Sequence, residues 1–148
     1  MSARGVDRLA FVDTNVLVHA YDRDAGAKHD VARALVEELW RSGTGALSVQ
    51  VLQEFYVTVT RKMPSPLDGP AARALVEVYG AWPVHRPGAE DVAAASILEQ
   101  RHRLSFWDAM IVRSATELGA ALLWSEDLSA GGQYGDLVVR DPFAAGQD

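Results

Sequence analysis

Four acidic residues, Asp13, Glu54, Asp108 and Asp127, lie where an α/β fold would deliver carboxylates to one place. Asp13 and Asp127 follow the apolar, strand-like runs Leu9–Val12 and Ala120–Trp124, Asp108 opens a helical pattern, and Glu54 interrupts a helix that is otherwise apolar. Carboxylates gathered together repel one another and need a partner. The chain has no cysteine, and its four histidines, His19, His29, His85 and His102, show no metal-binding spacing. A donor set of carboxylate oxygens selects a hard octahedral cation, Mg²⁺ or Mn²⁺, over Zn²⁺. A cation held in that way activates water and neutralises a phosphate, which is the chemistry of phosphodiester hydrolysis.

Each acid also has a structural reading. Asp13 is a favoured helix N-cap, with Thr14 and Asn15 placed to hold it or to orient a water. An aspartyl-phosphate enzyme would carry a second Asp two residues on, where this chain has Asn15. On the helix around Glu54, the residues Leu52, Phe55, Tyr56 and Val59 share one stripe and Glu54 points away from it. Val51 and Val57 are read as its flanking neighbours, so that it faces a cleft or a subunit contact and not open solvent. Ser105-Phe-Trp-Asp108 has the form of a capping box, and the helix dipole would keep Asp108 ionised. After the fourth strand, Glu126 and Asp127 are both candidates, as is Asp141 further on, and spacing does not choose among them. Mutual repulsion is expected to raise the pKa values of the clustered acids and to destabilise the metal-free fold.

A chain of 148 residues, 49% hydrophobic, has the size of one domain with a single core; that domain is expected to span residues 1–148, with its core at about 8–143. No apolar run approaches the roughly 20 residues that span a bilayer, and Met1–Ala10 carries arginines but no apolar leader, so a cytoplasmic protein is expected. A net charge of −6 argues against a general polyanion binder, leaving Arg61-Lys62, Arg101-His102-Arg103 and Arg113 as local basic patches or solvated helix faces.

Strands are predicted at Arg8–Val12, Ala46–Ser48, Trp82–His85, Ala120–Trp124 and Leu137–Arg140. Helices are predicted at Asn15–Tyr21, Lys28–Trp40, Val49–Lys62, Pro70–Tyr79, Ala89–His102 and Ser105–Leu118, with Gly43 and Gly45 closing the second. Ser129–Gly135 reads as a flexible glycine-rich loop. This alternation implies a central parallel sheet of about five strands flanked by helices on both faces, with ligands outside the carboxyl ends of the strands. Phe106, Trp107 and Trp124 are read as core aromatics, with stacking on an unpaired base as the alternative.

The segments Phe11-Val-Asp-Thr-Asn15, Gln50-Val-Leu-Gln-Glu-Phe-Tyr56, Ser105-Phe-Trp-Asp-Ala109 and Leu123-Trp-Ser-Glu-Asp-Leu128 resemble, in order and spacing, the motifs of PIN-domain ribonucleases, most of all their VapC-type toxins. No single motif is specific; the ordered set is, and it covers the chain from about Leu9 to Phe143. The resemblance implies a PIN-like domain with strand order 3-2-1-4-5. It also implies a metal-dependent endoribonuclease, the toxin of a type II toxin–antitoxin pair. In that family the acids matching Asp13, Glu54, Asp108 and Asp127 line one Mg²⁺ or Mn²⁺ site, with Thr14, Asn15 and Ser125 beside it. An RNA substrate, a homodimer and a cognate antitoxin covering the cleft are implied as well. The alternative is a non-catalytic PIN-like module that binds RNA or protein, which the presence of all four acids disfavours.

Overall fold

In the computed structural model, which describes residues 8–129 and 131–144, the first element is a strand buried on both faces, β1 (Ala10–Val12). Met1–Asp7, within the segment expected to lack an apolar leader, lies outside the described residues. The remaining elements run α1 (Thr14–His19), a 3₁₀ turn (Arg23–Ala25), α2 (Ala27–Ser42), β2 (Gly45–Ser48), α3 (Val49–Arg61), α4 (Gly69–Tyr79), β3 (Val84–His85), α5 (Ala89–His102), α6 (Phe106–Glu117), β4 (Leu122–Trp124), β5 (Gln133–Tyr134) and β6 (Leu137–Arg140). Phe11, Leu47, Leu123 and Val139 on the sheet and Leu17, Phe55, Val59 and Ile111 on the helices form one core. Each such side chain contributes about 1.5–3 kcal/mol by leaving water.

The strand order is β3-β2-β1-β4-β6-β5. Five strands are parallel, and the expected fifth strand is β6, paired with β4 as anticipated. The expectation of a flexible glycine-rich loop over Ser129–Gly135 is corrected: Gln133–Tyr134 pairs antiparallel with β6 as a sixth, edge strand. A two-residue turn at Gly135-Asp136 makes this possible, Gly135 taking φ +63°, as a tight hairpin requires. Among the described residues no helix is long and apolar enough to cross a membrane.

Gly43 ends α2 in the left-handed conformation, φ +72°. Gly45, expected to help close that helix, instead belongs to β2, where a Cβ would meet the Trp82 ring at 2.6 Å. The missing side chain lets that indole pack directly on the β2 backbone, in a cluster with Trp40 and Tyr79.

Chain direction across the sheet fixes where a site can form. From β1 the chain moves outward to β2 and β3, then returns to β4 on the other side of β1. The carboxyl ends of β1 and β4 flank the point where the winding reverses, the usual location of a crevice in such sheets. Val12 is in register with Trp124, and the Asp13 amide donates to the Trp124 carbonyl at 2.9 Å. Asp13 and Ser125 therefore emerge side by side from the last paired residues.

Candidate active site

Asp13 is both a helix cap and a site acid. Its Oδ1 accepts from the Thr14 amide at 2.7 Å and its Oδ2 from the Ser125 hydroxyl at 2.8 Å. The residue is only 5% exposed, and burial pushes its carboxyl up to about 6. The Ser125 hydroxyl and the Thr14 amide oppose that rise, while the charges of Asp108 and Glu54 add a smaller amount to it. Repulsion among the acids, expected from their clustering, is thus the lesser cause; desolvation dominates because β1 delivers Asp13 to the floor of the cleft.

Ser125 is fully buried and its hydroxyl is saturated. It donates to Asp13 and accepts from the amides of Asp127 and Leu128, both at 3.2 Å. One oxygen thereby fixes the floor carboxylate and shapes the loop that carries the next acid.

Thr14 and Asn15, the first residues of α1, each hold another acid. The Thr14 hydroxyl donates to Glu54 Oε1 at 2.6 Å, and the Asn15 amide donates to Asp127 Oδ2 at 2.9 Å. Asp108 lies in the first turn of α6, its amide capped by Ser105 Oγ at 3.1 Å, which is the serine half of the expected box. Burial raises the Asp108 carboxyl, Ser105 opposes that, and Asp127 and Glu54 add to it.

Asp13, Thr14, Asn15, Glu54, Asp108 and Asp127 all line one cleft of about 490 Å³. Ser125 lies beneath it, buried under the carboxylate it holds. Glu126 is committed elsewhere, to His19 Nε2 and Lys28 Nζ, each at 2.6 Å. Burial works to raise its carboxyl, but those two partners hold it below the ordinary range. Asp141 accepts from the Phe143 amide at 2.8 Å and does not line the cleft.

The surroundings of Glu54 differ from expectation. Val51 is buried in the core, and the residues that share the cleft with Glu54 are Gln50, Thr58 and Lys62. Positions four apart on a helix lie closer in angle than positions three apart, so the polar series 50-54-58-62 forms the facing row. Gln50 escaped the sequence reading, although this polar i, i+4 series inside an apolar helix was its visible signal. Its amide donates to Glu54 Oε2 at 3.2 Å and to the Trp107 carbonyl at 3.3 Å. Its own oxygen is buried without a partner.

Among the described residues none of the four acids is paired with Lys, Arg or His. Uncompensated oxygens, one of them on the cleft floor, and an orphaned amide oxygen beside them fit a hard cation and its water shell. No three of the four acids bring oxygens within 4.8 Å of one another.

The trio that does meet that distance is His85, Asp91 and Glu117, but Arg113 sits among its members. The Arg113 Nε donates to Asp91 at 2.8 Å and its Nη2 lies 3.3 Å from Glu117. The Gly88 amide and Arg113 hold the Asp91 carboxyl below its ordinary range. The basic patch at Arg113 is thus an internal ion pair joining α5 to α6.

A family model described as PIN domain matches residues 10–129. No curated protein sequence matches the chain. Among solved structures, the chain is similar to VapC20 of Mycobacterium tuberculosis, a sarcin-ricin-loop-cleaving toxin, at 22% identity and a TM-score of 0.60, over 78% of this chain and 88% of that one. It is also similar to a chain of a toxin–antitoxin complex from Klebsiella pneumoniae, at 16% identity and a TM-score of 0.67, over 90% of this chain and 98% of that one.

Proposed function

Because this chain belongs to the PIN domain family, we propose that it is a metal-dependent endoribonuclease, the toxin of a type II toxin–antitoxin pair. The observation that carries this reading is the meeting of four carboxylates without cationic partners in one cleft at the sheet's switch point. Asp13, Glu54, Asp108 and Asp127 would hold Mg²⁺ or Mn²⁺, which when bound supplies an activated water and charge neutralisation at a phosphate. Thr14, Asn15 and Ser125 act as positioning residues, each fixing one of those acids through a hydrogen bond. Lys62, on the same cleft, supplies a cation toward the RNA backbone.

The toxin assignment draws on the two solved neighbours, one a sarcin-ricin-loop-cleaving toxin and the other from a toxin–antitoxin complex. An antitoxin and a second copy of the chain are the protein partners that this reading requires. An apolar groove between α3 and α4, lined by Val49, Leu52, Tyr56 and Val76, supports a protein contact. One domain over residues 1–148, acting in the cytoplasm, completes the proposal.

Purified protein freed of antitoxin is expected to cut RNA with Mg²⁺ or Mn²⁺ and to stop on addition of EDTA. Since the attacking group is water and not the ribose 2′-hydroxyl, the products should carry 5′-phosphate and 3′-hydroxyl ends. Cleavage that persists in EDTA, or 2′,3′-cyclic phosphate ends, would contradict the reading.

A further inference from the structure

Trp107 is the most exposed of the large hydrophobic residues, at 63%. This corrects its reading as a core aromatic; Phe106 and Trp124, by contrast, are half-buried. Exposure alone says little, since single apolar residues often face water, but this indole is not on a remote face. Trp107 immediately precedes Asp108 and lines the acid cleft. Two contacts fix its position: its carbonyl accepts from the Gln50 amide that also holds Glu54, and the Phe106 ring packs edge-on against its own at 5.2 Å. The Trp107 backbone is thus linked through Gln50 to Glu54, and its ring rests against Phe106.

On the α3 side, the cleft continues into a shallow depression that shares Glu54 and runs past Gln53, Val57 and Thr58 to Lys62. A flat apolar ring, a set of acids and a lysine in that arrangement match an unpaired nucleotide and its backbone. Bases of any sequence present a π-face to such a ring, and a single strand held at a cation-lined groove uses both features.

We propose that Trp107 is a stacking platform for an unpaired base next to the phosphate that enters the acid cleft, so that the RNA must be single-stranded at the cut. This rests on the ribonuclease reading for its substrate class. A base paired within a duplex has both faces covered by its neighbours and would have to be flipped out to reach the ring.

The test uses the full chain, as wild type, Trp107→Ala and Trp107→Phe, with a mixed-sequence single-stranded oligoribonucleotide and the same strand annealed as a duplex. In EDTA, the single strand is expected to quench the tryptophan fluorescence of the wild type, and that quenching should be lost in Trp107→Phe. With Mn²⁺, Trp107→Ala should lower kcat/KM on the single strand about ten- to a hundredfold, mostly through KM, and Trp107→Phe should recover most of it. Duplex RNA should be cut poorly by all three.

Unchanged cleavage and quenching in the variants would overturn the proposal. So would unchanged RNA affinity combined with a shift of Trp107→Ala in size-exclusion elution, which would assign the ring to a protein contact. A wild type that quenches on binding RNA but cuts nothing with any divalent ion contradicts the nuclease reading and leaves the stacking result intact.

Discussion

Replacing Asp13 with asparagine is expected to abolish RNA cleavage while raising the melting temperature of the metal-free protein near neutral pH. Burial raises the Asp13 carboxyl from an ordinary 3.8 to about 6, so the folded state holds its proton more tightly than the unfolded chain does. Below about pH 4 the group is protonated in both states and contributes nothing. Between about pH 4 and 6 the unfolded chain ionises first, and stability falls as pH rises. Above about pH 6 the full loss, about 3 kcal/mol, is in place. Asparagine removes the charge, but it turns an amide NH₂ toward Ser125 Oγ, which already accepts two bonds. That mismatch costs about 1–2 kcal/mol.

The net gain is then about 1–2 kcal/mol, or a few degrees for a domain of this size. Thermal melts in EDTA across this pH range should show the wild type losing stability relative to Asp13→Asn as pH rises. Activity should fall by about a thousandfold or more, since on the proposed metal site a cation ligand and its charge would be lost together. A marked drop in the apo melting temperature would instead make Asp13 chiefly a structural cap.

Ser125→Ala is expected to do the reverse to stability. Its buried hydroxyl serves Asp13 Oδ2 and the amides of Asp127 and Leu128, and its removal leaves the buried Asp13 oxygen and Leu128 amide without that partner. A loss of about 2–4 kcal/mol follows from the desolvation of those groups. Activity should fall with it, because the Asp13 carboxylate loses the Ser125 hydroxyl and the loop that carries Asp127 loses its backbone anchor. A double-mutant cycle checks the cause: in an Asp13→Asn background the stability loss from Ser125→Ala should shrink by about 1 kcal/mol or more. An equal loss in both backgrounds would show that Ser125 acts on the loop alone.

Asp13 and Asp108 were legible in the sequence because each sits at a boundary with a physical signature, the end of an apolar strand and the start of a capped helix. The parallel arrangement of five strands followed from strand–helix alternation, and their order from the family resemblance. Choosing between Glu126 and Asp127 was not possible from spacing, since neighbouring residues in a loop differ only in direction. What separates them is the His19 and Lys28 pair that claims Glu126, and both partners are remote in sequence. Trp107 was misjudged because an aromatic beside a helix start is usually buried, and exposure depends on what packs against that turn. β5 was not legible because it lies within the glycine-rich run Gly131-Gly-Gln-Tyr-Gly135, which reads as a loop; it is created by the Gly135 turn.

The most direct measurement is a calorimetric titration of Mn²⁺ into chelator-stripped protein, comparing wild type with Asp13→Asn, Asp108→Asn and His85→Ala. The wild type is expected to bind the ion with release of a fraction of a proton near pH 6, from the Asp13 carboxyl that titrates at about that pH. Asp13→Asn and Asp108→Asn should lose that binding, while His85→Ala retains it. Binding that survives both aspartate substitutions, or that disappears with His85→Ala, would contradict the assignment of the four-acid cleft as the metal centre.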